Sequence, residues 1–458
     1  MRQEKNADTC SKKYNTFSDM KDIDRQILHI ALPSIVSNIT VPLLGLVDVT
    51  IVGHLGDPAY IGAIAVGGLL FNIIYWIFAF LRMGTSGMTS QAYGRQDAQE
   101  TFRLLVRSVG LGVLIAVLLV ALQTPIVQGA FFFIHPTGEI RELAITYFRI
   151  CIWGAPAMLG LYGLTGWYIG MQNSRIPMAV AITQNVVNIV ASLSFVYGGG
   201  MKVEGVALGT LVAQWAGFLM GLILWFRYYG HLRRFHLQGL WQREALKRFF
   251  GVNRDIFLRT LCLVAVTLFF TSAGAEQGEI ILAVNTLLMQ LFTLFSYVMD
   301  GFAYAGEALS GRYIGAQDHL TFRLTVRRLF AWGAVMVILF TAAYAFGGNG
   351  FLSLLTDEPE VLSASNDYFL WALAIPLAGV AAFVWDGVFI GATATRGMLT
   401  AMAIAALCFF GCYFGLRDTW GNHALWMAFL LYLATRGAVQ TGLAREVERK
   451  AFKIISNQ

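Results

Sequence analysis

Charge is what this sequence has least of: Asp, Glu, Lys and Arg make up 13% of its 458 residues, where a soluble domain carries about a quarter. With 57% of residues hydrophobic, a soluble chain of this length would have to divide its apolar surface among several cores. A lipid bilayer lifts that demand, because the solvent is itself apolar. Cysteine is scarce as well. The five (Cys10, Cys151, Cys262, Cys408 and Cys412) are odd in number and four lie in apolar stretches, which argues against a disulfide framework and for small-hydrophobe roles. Catalytic signatures are missing: there is no Walker lysine motif, no G-x-S-x-G, no H-E-x-x-H and no C-x-x-C. The chain is therefore read as not an enzyme, with no catalytic residue, metal or cofactor assigned, and any work it does would have to be driven by something other than nucleotide hydrolysis, such as an ion gradient. The net charge of +6 points to no nucleic-acid partner, since the basic residues sit in short clusters between apolar runs.

Long apolar runs are what the sequence has in abundance. A spanning helix needs about 20 mostly apolar residues. Such runs occur near 27–52, 60–83, 104–125, 146–171, 176–198, 204–228, 256–274, 279–304, 325–347, 367–392, 397–416 and 423–442. The expected architecture is an all-α membrane protein of twelve transmembrane helices. The one long polar break divides them six and six: a tail at 1–26, a first lobe at 27–228, a linker at 229–255, a second lobe at 256–442 and a tail at 443–458. The first 26 residues lack the apolar core of a cleaved signal peptide, so the first helix also directs insertion. If the helices alternate, only Arg141, Arg149, Lys202 and Arg417 of the 33 Lys and Arg residues fall away from the side that holds both termini. On that far side the 348–366 loop carries Asp357, Glu358 and Glu360 with no base. The positive-inside rule then places both termini in the cytoplasm.

The two halves resemble each other. GRQDAQETFRLLVR (94–107) matches GAQDHLTFRLTVR (315–327) with one gap, and GAPAMLGLYGLTGWYIG (154–170) matches the spacing of AIPLAGVAAFVWDGVFIG (374–391). An offset of about 220 residues spans six helices, so both halves start on the same side and the repeat is parallel. Parallel repeats related by an axis along the membrane normal suit alternating access.

An acid or base at mid-membrane costs about 2.5–3.5 kcal/mol on insertion scales, so each one needs a reason. Asp48 lies fifteen residues after Pro33 in the first helix, about 22 Å along it and so in its outer half. Pro33 and Pro42 remove backbone donors and could let this helix bend. The alternative for Asp48 is an interfacial aspartate that simply meets water. On the fifth helix Asn185, Asn188 and Ser192 recur at three- and four-residue spacing and share a face. Thr165 on the fourth helix and Thr210 on the sixth would complete a polar pocket, though the same stripe would serve equally as glue between helices. The second half carries Arg259, Asp300, Glu307 and Asp386, with Asp386 at the repeat position of Thr165. An Arg259–Asp300 ion pair would explain two of these structurally and keep Asp300 from carrying a proton. Aromatic residues such as Phe71, Tyr75, Tyr162 and Trp385 would line a cavity or merely pack.

The strings VDVTIVGHLG, MDGFAYAGEALSGRYIG and WDGVFIGAT together resemble the DinF branch of the multidrug and toxic compound extrusion (MATE) family. The likeness covers essentially the whole chain after the N-terminal tail. It implies two pseudo-symmetric six-helix lobes arranged as a V in a bacterial inner membrane, and export of amphipathic, often cationic compounds against inward H⁺ or Na⁺ flow. It also implies an ion-coupling site at Asp48, Thr165, Asn188, Ser192 and Thr210 and a bend at Pro33; Asn185 joins that expected site by sharing the helix face of Asn188. Members of the branch often carry an aspartate where this chain has Ser192 and an asparagine where it has Thr165. Without a second carboxylate a hard cation is poorly served, which favours H⁺ over Na⁺. Asp386 matches an aspartate that other branches use in a second-lobe cation site together with a seventh-helix glutamate, and no acid lies in the apolar part of that helix here. The expected partners are a small-molecule substrate and the lipid bilayer, with the protein acting as a monomer. Two rivals are a lipid-linked precursor flippase, which would want fourteen helices and a basic cavity, and a membrane enzyme acting on lipid or quinone. The latter would need clustered His, Asp or Glu, and the seven histidines are scattered.

Overall fold

The computed structural model describes residues 16–54, 58–134, 138–235, 238–356 and 358–452; Cys10, Asp357 and the outer parts of both tails lie outside them. The described residues are helical almost throughout, and none forms a strand. The first six crossings are α1 (Thr16–Gly53), α2 (Pro58–Phe78) with α3 (Phe80–Gly94), α4 (Ala98–Ala121) with α5 (Gln123–Ile134), α6 (Gly138–Cys151) with α7 (Ala155–Gly170), α8 (Arg175–Leu193) and α9 (Val203–Tyr229). The second six are α10 (Arg243–Glu276), α11 (Glu279–Gly315), α12 (His319–Leu355), α13 (Pro359–Gly391), α14 (Thr395–Trp420) and α15 (Asn422–Ala451). Ten crossings are long and apolar enough for a bilayer by length and composition alone. The 38-residue α1 and the 30-residue α15 complete the twelve, each longer than the roughly 20 residues a span requires.

The duplication is visible in the backbone. Among the described residues, four other than glycine have positive φ: Gln96, Gln172, Gln317 and Thr393. They fall into two pairs, each separated by 221 residues, in the turns after α3, α7, α11 and α13. The next residue of the first pair caps the following helix in the same way, Asp97 accepting from the Glu100 N–H and Asp318 from the Thr321 N–H. The helix contacts repeat too. A Cβ on Gly166 would strike the Arg82 carbonyl, and one on Gly387 would strike the Ala303 carbonyl, again with each partner 221 residues on.

Where the lobes meet, the symmetry becomes reciprocal. A Cβ on Gly94 would lie 2.0 Å from the Arg312 carbonyl oxygen, and one on Gly315 would lie 2.2 Å from the Gln91 carbonyl oxygen. Only glycine lets these two backbones approach so closely, so α3 and α11 cross tightly near the axis between the lobes. Hydrogen bonds reinforce that end: Gln91 Nε2 donates to the Gly391 carbonyl at 2.8 Å, Gln172 Nε2 to the Ala308 carbonyl at 2.8 Å and Ser90 Oγ to the Glu307 carbonyl at 3.2 Å. The lobes are thus sewn together at the end that carries α1's start and α15's finish, and they part toward the other end as a V.

Two boundaries differ from the apolar runs. α1 begins at Thr16 rather than near 27, because Ile23, Ile27 and Ile30 recur on one face and are all buried. The 229–255 stretch is only partly a connection. It holds a short 3₁₀ turn, Gly230–Arg234, and α10 is already helical from Arg243. The polar start of α10 has its own partners, with Arg248 donating to Gln91 Oε1 at 2.7 Å and Asp255 accepting from Thr395 at 3.1 Å.

Candidate functional site

Three of the expected polar residues form a connected group. Asp48, only 4% exposed, comes from the outer half of α1. Thr210 of α9 donates from Oγ1 to Asp48 Oδ2 at 3.3 Å, and Asn188 of α8 donates from Nδ2 to Thr210 Oγ1 at 3.0 Å. Asn188 lies within side-chain reach of the carboxylate as well. Among the described residues the group is tied to no cation, and it leaves acceptors open: Asp48 Oδ1 and Asn188 Oδ1 are both buried without a hydrogen-bond partner. Tyr147 of α6 stands against the same group, its ring seated over Gly67 of α2. Nothing in the sequence marks Tyr147, which reads as one more aromatic in an apolar run.

The other expected first-lobe residues take different places. Asn185 reaches α1 lower down, donating from Nδ2 to the Thr40 carbonyl at 3.0 Å. Ser192 is fully buried where α8 crosses α9, with its Oγ facing Gly209 and no hydrogen-bond partner. Thr165 is half-buried on α7, and no hydrogen bond joins it to Asp48 among the described residues. Phe71 stacks on Phe148 at 4.8 Å within the first lobe's core, beside Tyr75 at 5.6 Å. A small cavity of about 130 Å³ lies elsewhere, between α5 and α6, lined by Gln123, Phe131, Arg141 and Arg149 among others.

Thr210→Val tests the group directly. The variant keeps the shape but removes both the donor to Asp48 and the acceptor for Asn188. It should lower stability by about 1 kcal/mol, the usual scale of hydrogen bonds between membrane helices, and change the pH dependence of transport. An unchanged melting temperature with an unchanged pH profile would remove Thr210 from the site.

The second-lobe charges pair otherwise than expected. Arg259 does not meet Asp300: its Nη2 donates to Asp386 Oδ2. Asp386 also has Arg436 Nη2 at 3.5 Å and accepts from Gln440 Nε2 at 2.6 Å. The reason lies in the helices. α10 packs on α14 and α15, and α13 packs on α15, so Arg259 and Arg436 converge on the carboxylate of α13. A carboxylate between two guanidiniums is satisfied as a structural anion and is a poor carrier of ions. Glu307, 1% exposed, is paired across the lobes with Arg82 of α3 at 3.1 Å, and the Arg82 guanidinium also lies 4.1 Å over the Tyr304 ring. Arg82 and Arg436 were missed in the sequence because a lone base within a span reads as part of a helix end. Asp300 is half-buried, makes no hydrogen bond among the described residues, and lies in the field of Arg82, Arg259, Arg436 and Asp386. In this cluster three acids, Asp300, Glu307 and Asp386, thus stand among three arginines, Arg82, Arg259 and Arg436. Among the described residues no group of three or more His, Cys, Asp or Glu side chains is placed to hold a metal ion.

The MatE family model matches residues 33–193 and 256–412, one block for each lobe. The chain is 38% identical over 418 residues to the DNA damage-inducible protein F of Escherichia coli, covering 90% of each chain. It is 22% identical to Protein DETOXIFICATION 42 of Arabidopsis thaliana, covering 93% of this chain and 94% of that one. Among solved structures, the bent form of the Vibrio cholerae MATE transporter VcmN superposes with a TM-score of 0.85 at 17% identity, covering 96% of this chain and all of that one. A MOP superfamily transporter from Pyrococcus furiosus does so with 0.83 at 20% identity, covering 94% and 97%. With two duplicated lobes, a polar group on the first helix and matches that run the length of the chain, this protein is a multi-pass membrane transporter of the MATE family, homologous to DinF.

Proposed function

We propose that the protein is a secondary antiporter that exports amphipathic, cationic organic compounds in exchange for protons, by alternating access, across a bacterial inner membrane with both termini in the cytoplasm. The observation that carries this reading is Asp48: a single buried carboxylate whose neighbours are neutral donors, with one oxygen left free. A proton neutralises such a group and converts an acceptor into a donor, which changes what Thr210 and Asn188 can do with it. Proton uptake from the open end of the V reorganises these bonds and lets α1 bend at Pro33, and substrate leaves. The lobes then rock, and the proton is released on the side of the termini. One charge moving through 100 mV supplies about 2.3 kcal/mol, enough for a concentration ratio of several tens.

The basic residues concentrated at the closed end support the orientation, and the V is then open to the outside. The relatives support the substrate class: Thermotoga maritima has a similar protein named "Probable multidrug resistance protein NorM", 23% identical over 78% of this chain and 77% of that one. The protein is taken to act as a monomer. A Na⁺ ion is the second reading, favoured by two unpaired buried oxygens of the group, Asp48 Oδ1 and Asn188 Oδ1. Purified protein in liposomes, with pH and Na⁺ gradients imposed separately, decides between them. A lipophilic fluorescent cation should be moved by the pH gradient alone. Movement driven only by Na⁺ would replace the proton, and movement of no compound in a broad panel under either gradient would overturn the antiport reading.

A further inference from the structure

The first helix belongs to two cores. Ile23, Ile27, Ile30 and Ala31 are packed into the second lobe's apolar cluster with Phe295, Leu309 and Leu329, whereas Ile51 and Val52 are packed into the first lobe's cluster with Tyr60, Phe71 and Tyr147. Pro33 stands between these two buried stretches, and contact with the second lobe runs on past it through Ile35 and through Asn38, whose Nδ2 donates to the Tyr297 carbonyl at 3.1 Å. We infer that the part of α1 before Pro33 is a latch holding the lobes closed at the end of the termini, and that Asp24, Arg328 and Ser174 are its positioning residues. This rests on the alternating-access reading above.

The latch is tied on both sides. Toward the second lobe, Arg328 of α12 grips Asp24 through two bonds, Nε to Oδ1 at 2.7 Å and Nη2 to Oδ2 at 2.5 Å, and the Trp332 indole N–H donates to the same Asp24 Oδ1 at 3.0 Å. A bidentate guanidinium–carboxylate pair fixes direction as well as distance. Two residues on, Gln26 Oε1 accepts from the Tyr313 hydroxyl of α11 at 2.9 Å. Toward the first lobe, the contact is one that proline creates. Pro33 has no N–H, so the carbonyl four residues earlier, that of His29, loses its helical partner. Ser174, buried in the turn before α8, donates its Oγ to that carbonyl at 3.2 Å. The residue that lets α1 bend therefore also exposes the atom by which the first lobe holds it.

Opening the closed end requires one of these ties to give, because α8 and α12 belong to different lobes. The Ser174 bond is a single neutral one and the Asp24 grip is threefold and charged. The structure therefore assigns release to the Ser174 side: the latch stays with the second lobe and slides away from α8 as Pro33 hinges.

Double electron–electron resonance on full-length protein in nanodiscs reads this without substrate or ion gradient. Spin labels go on Tyr228→Cys at the end of α9 and Leu320→Cys at the start of α12, with the native cysteines replaced. Asp24→Arg or Arg328→Asp should raise the population of the long distance about tenfold, and the double swap Asp24→Arg/Arg328→Asp should return it to within about twofold of the parent. Ser174→Ala should shift the distribution the same way by a smaller factor, and Ser174→Thr should restore it. Parental distances in either single swap, or a double swap no better than the singles, would overturn the latch. If the single swaps do not fold, the double swap and Ser174→Ala decide: parental distances in Ser174→Ala with an unrescued double swap overturn it. Failure to transport any compound would leave this result standing and count against the antiport reading alone.

Discussion

Asp48→Asn should abolish proton-driven export while leaving a folded protein that still binds substrate. Asparagine has the shape of aspartate, and its Oδ1 accepts the Thr210 hydroxyl as Asp48 Oδ2 does at 3.3 Å. It carries no proton at any working pH, so the step that links the ion to α1 is lost. The expected loss in gradient-driven transport is at least about a hundredfold, since removal of an essential acid–base group typically costs 10²–10⁴. Stability should move in the opposite sense or not at all. The carboxylate is 4% exposed with one oxygen unpaired, and burying a charge without a countercharge opposes folding. An amide relieves that cost, so the melting temperature should stay level or rise. Liposome flux under an imposed pH gradient, set beside equilibrium binding of the same fluorescent cation, separates coupling from binding. Retained proton-driven flux in Asp48→Asn would remove the residue from the mechanism.

The fold was largely legible in the sequence because bilayer physics writes it plainly. Twelve apolar runs, a lopsided distribution of bases and a polar loop that recurs, GRQD against GAQD, are all local in the chain. The loop match even marks the paired positive-φ turns at Gln96 and Gln317. The candidate site was legible in part. Helical spacing places Asn188 on a polar face, and Asp48 and Thr210 were singled out because polar groups in a span need partners. Which partner each finds depends on how helices cross, and that is not local. Arg259 meets Asp386 instead of Asp300 through the packing of α10 and α13 around α15. Ser192 is turned to Gly209 because the small residue opens a close crossing there. Arg82 was invisible as a functional group since its partner lies 225 residues away in the other lobe.

That pair should give the largest stability effect in the molecule. Arg82 and Glu307 are 7% and 1% exposed, so neither has water to fall back on. Arg82→Ala leaves Glu307 as an uncompensated buried charge and also strips Asp300 of the cation nearest in effect to it. Breaking a buried pair from one side costs about 3–5 kcal/mol, and Glu307→Ala should cost a similar amount by stranding the guanidinium above Tyr304. Replacing both with apolar residues of comparable volume, Arg82→Met with Glu307→Leu, removes the need for compensation and should recover most of the loss. Unfolding in detergent, followed for the parent, the two singles and the double, gives the coupling directly. Additive losses would mean that the pair is not a unit. The cycle also bears on transport, because α3 and α11 belong to different lobes and the closed end cannot open with this bond intact. The apolar double variant, stable but without the tie, should spend more of its time open toward the termini and export more slowly at saturating proton gradient. A double variant that recovers stability and exports at the parental rate would confine Arg82 and Glu307 to holding the fold, leaving the reciprocal glycine crossing of Gly94 and Gly315 as the contact that seals the closed end.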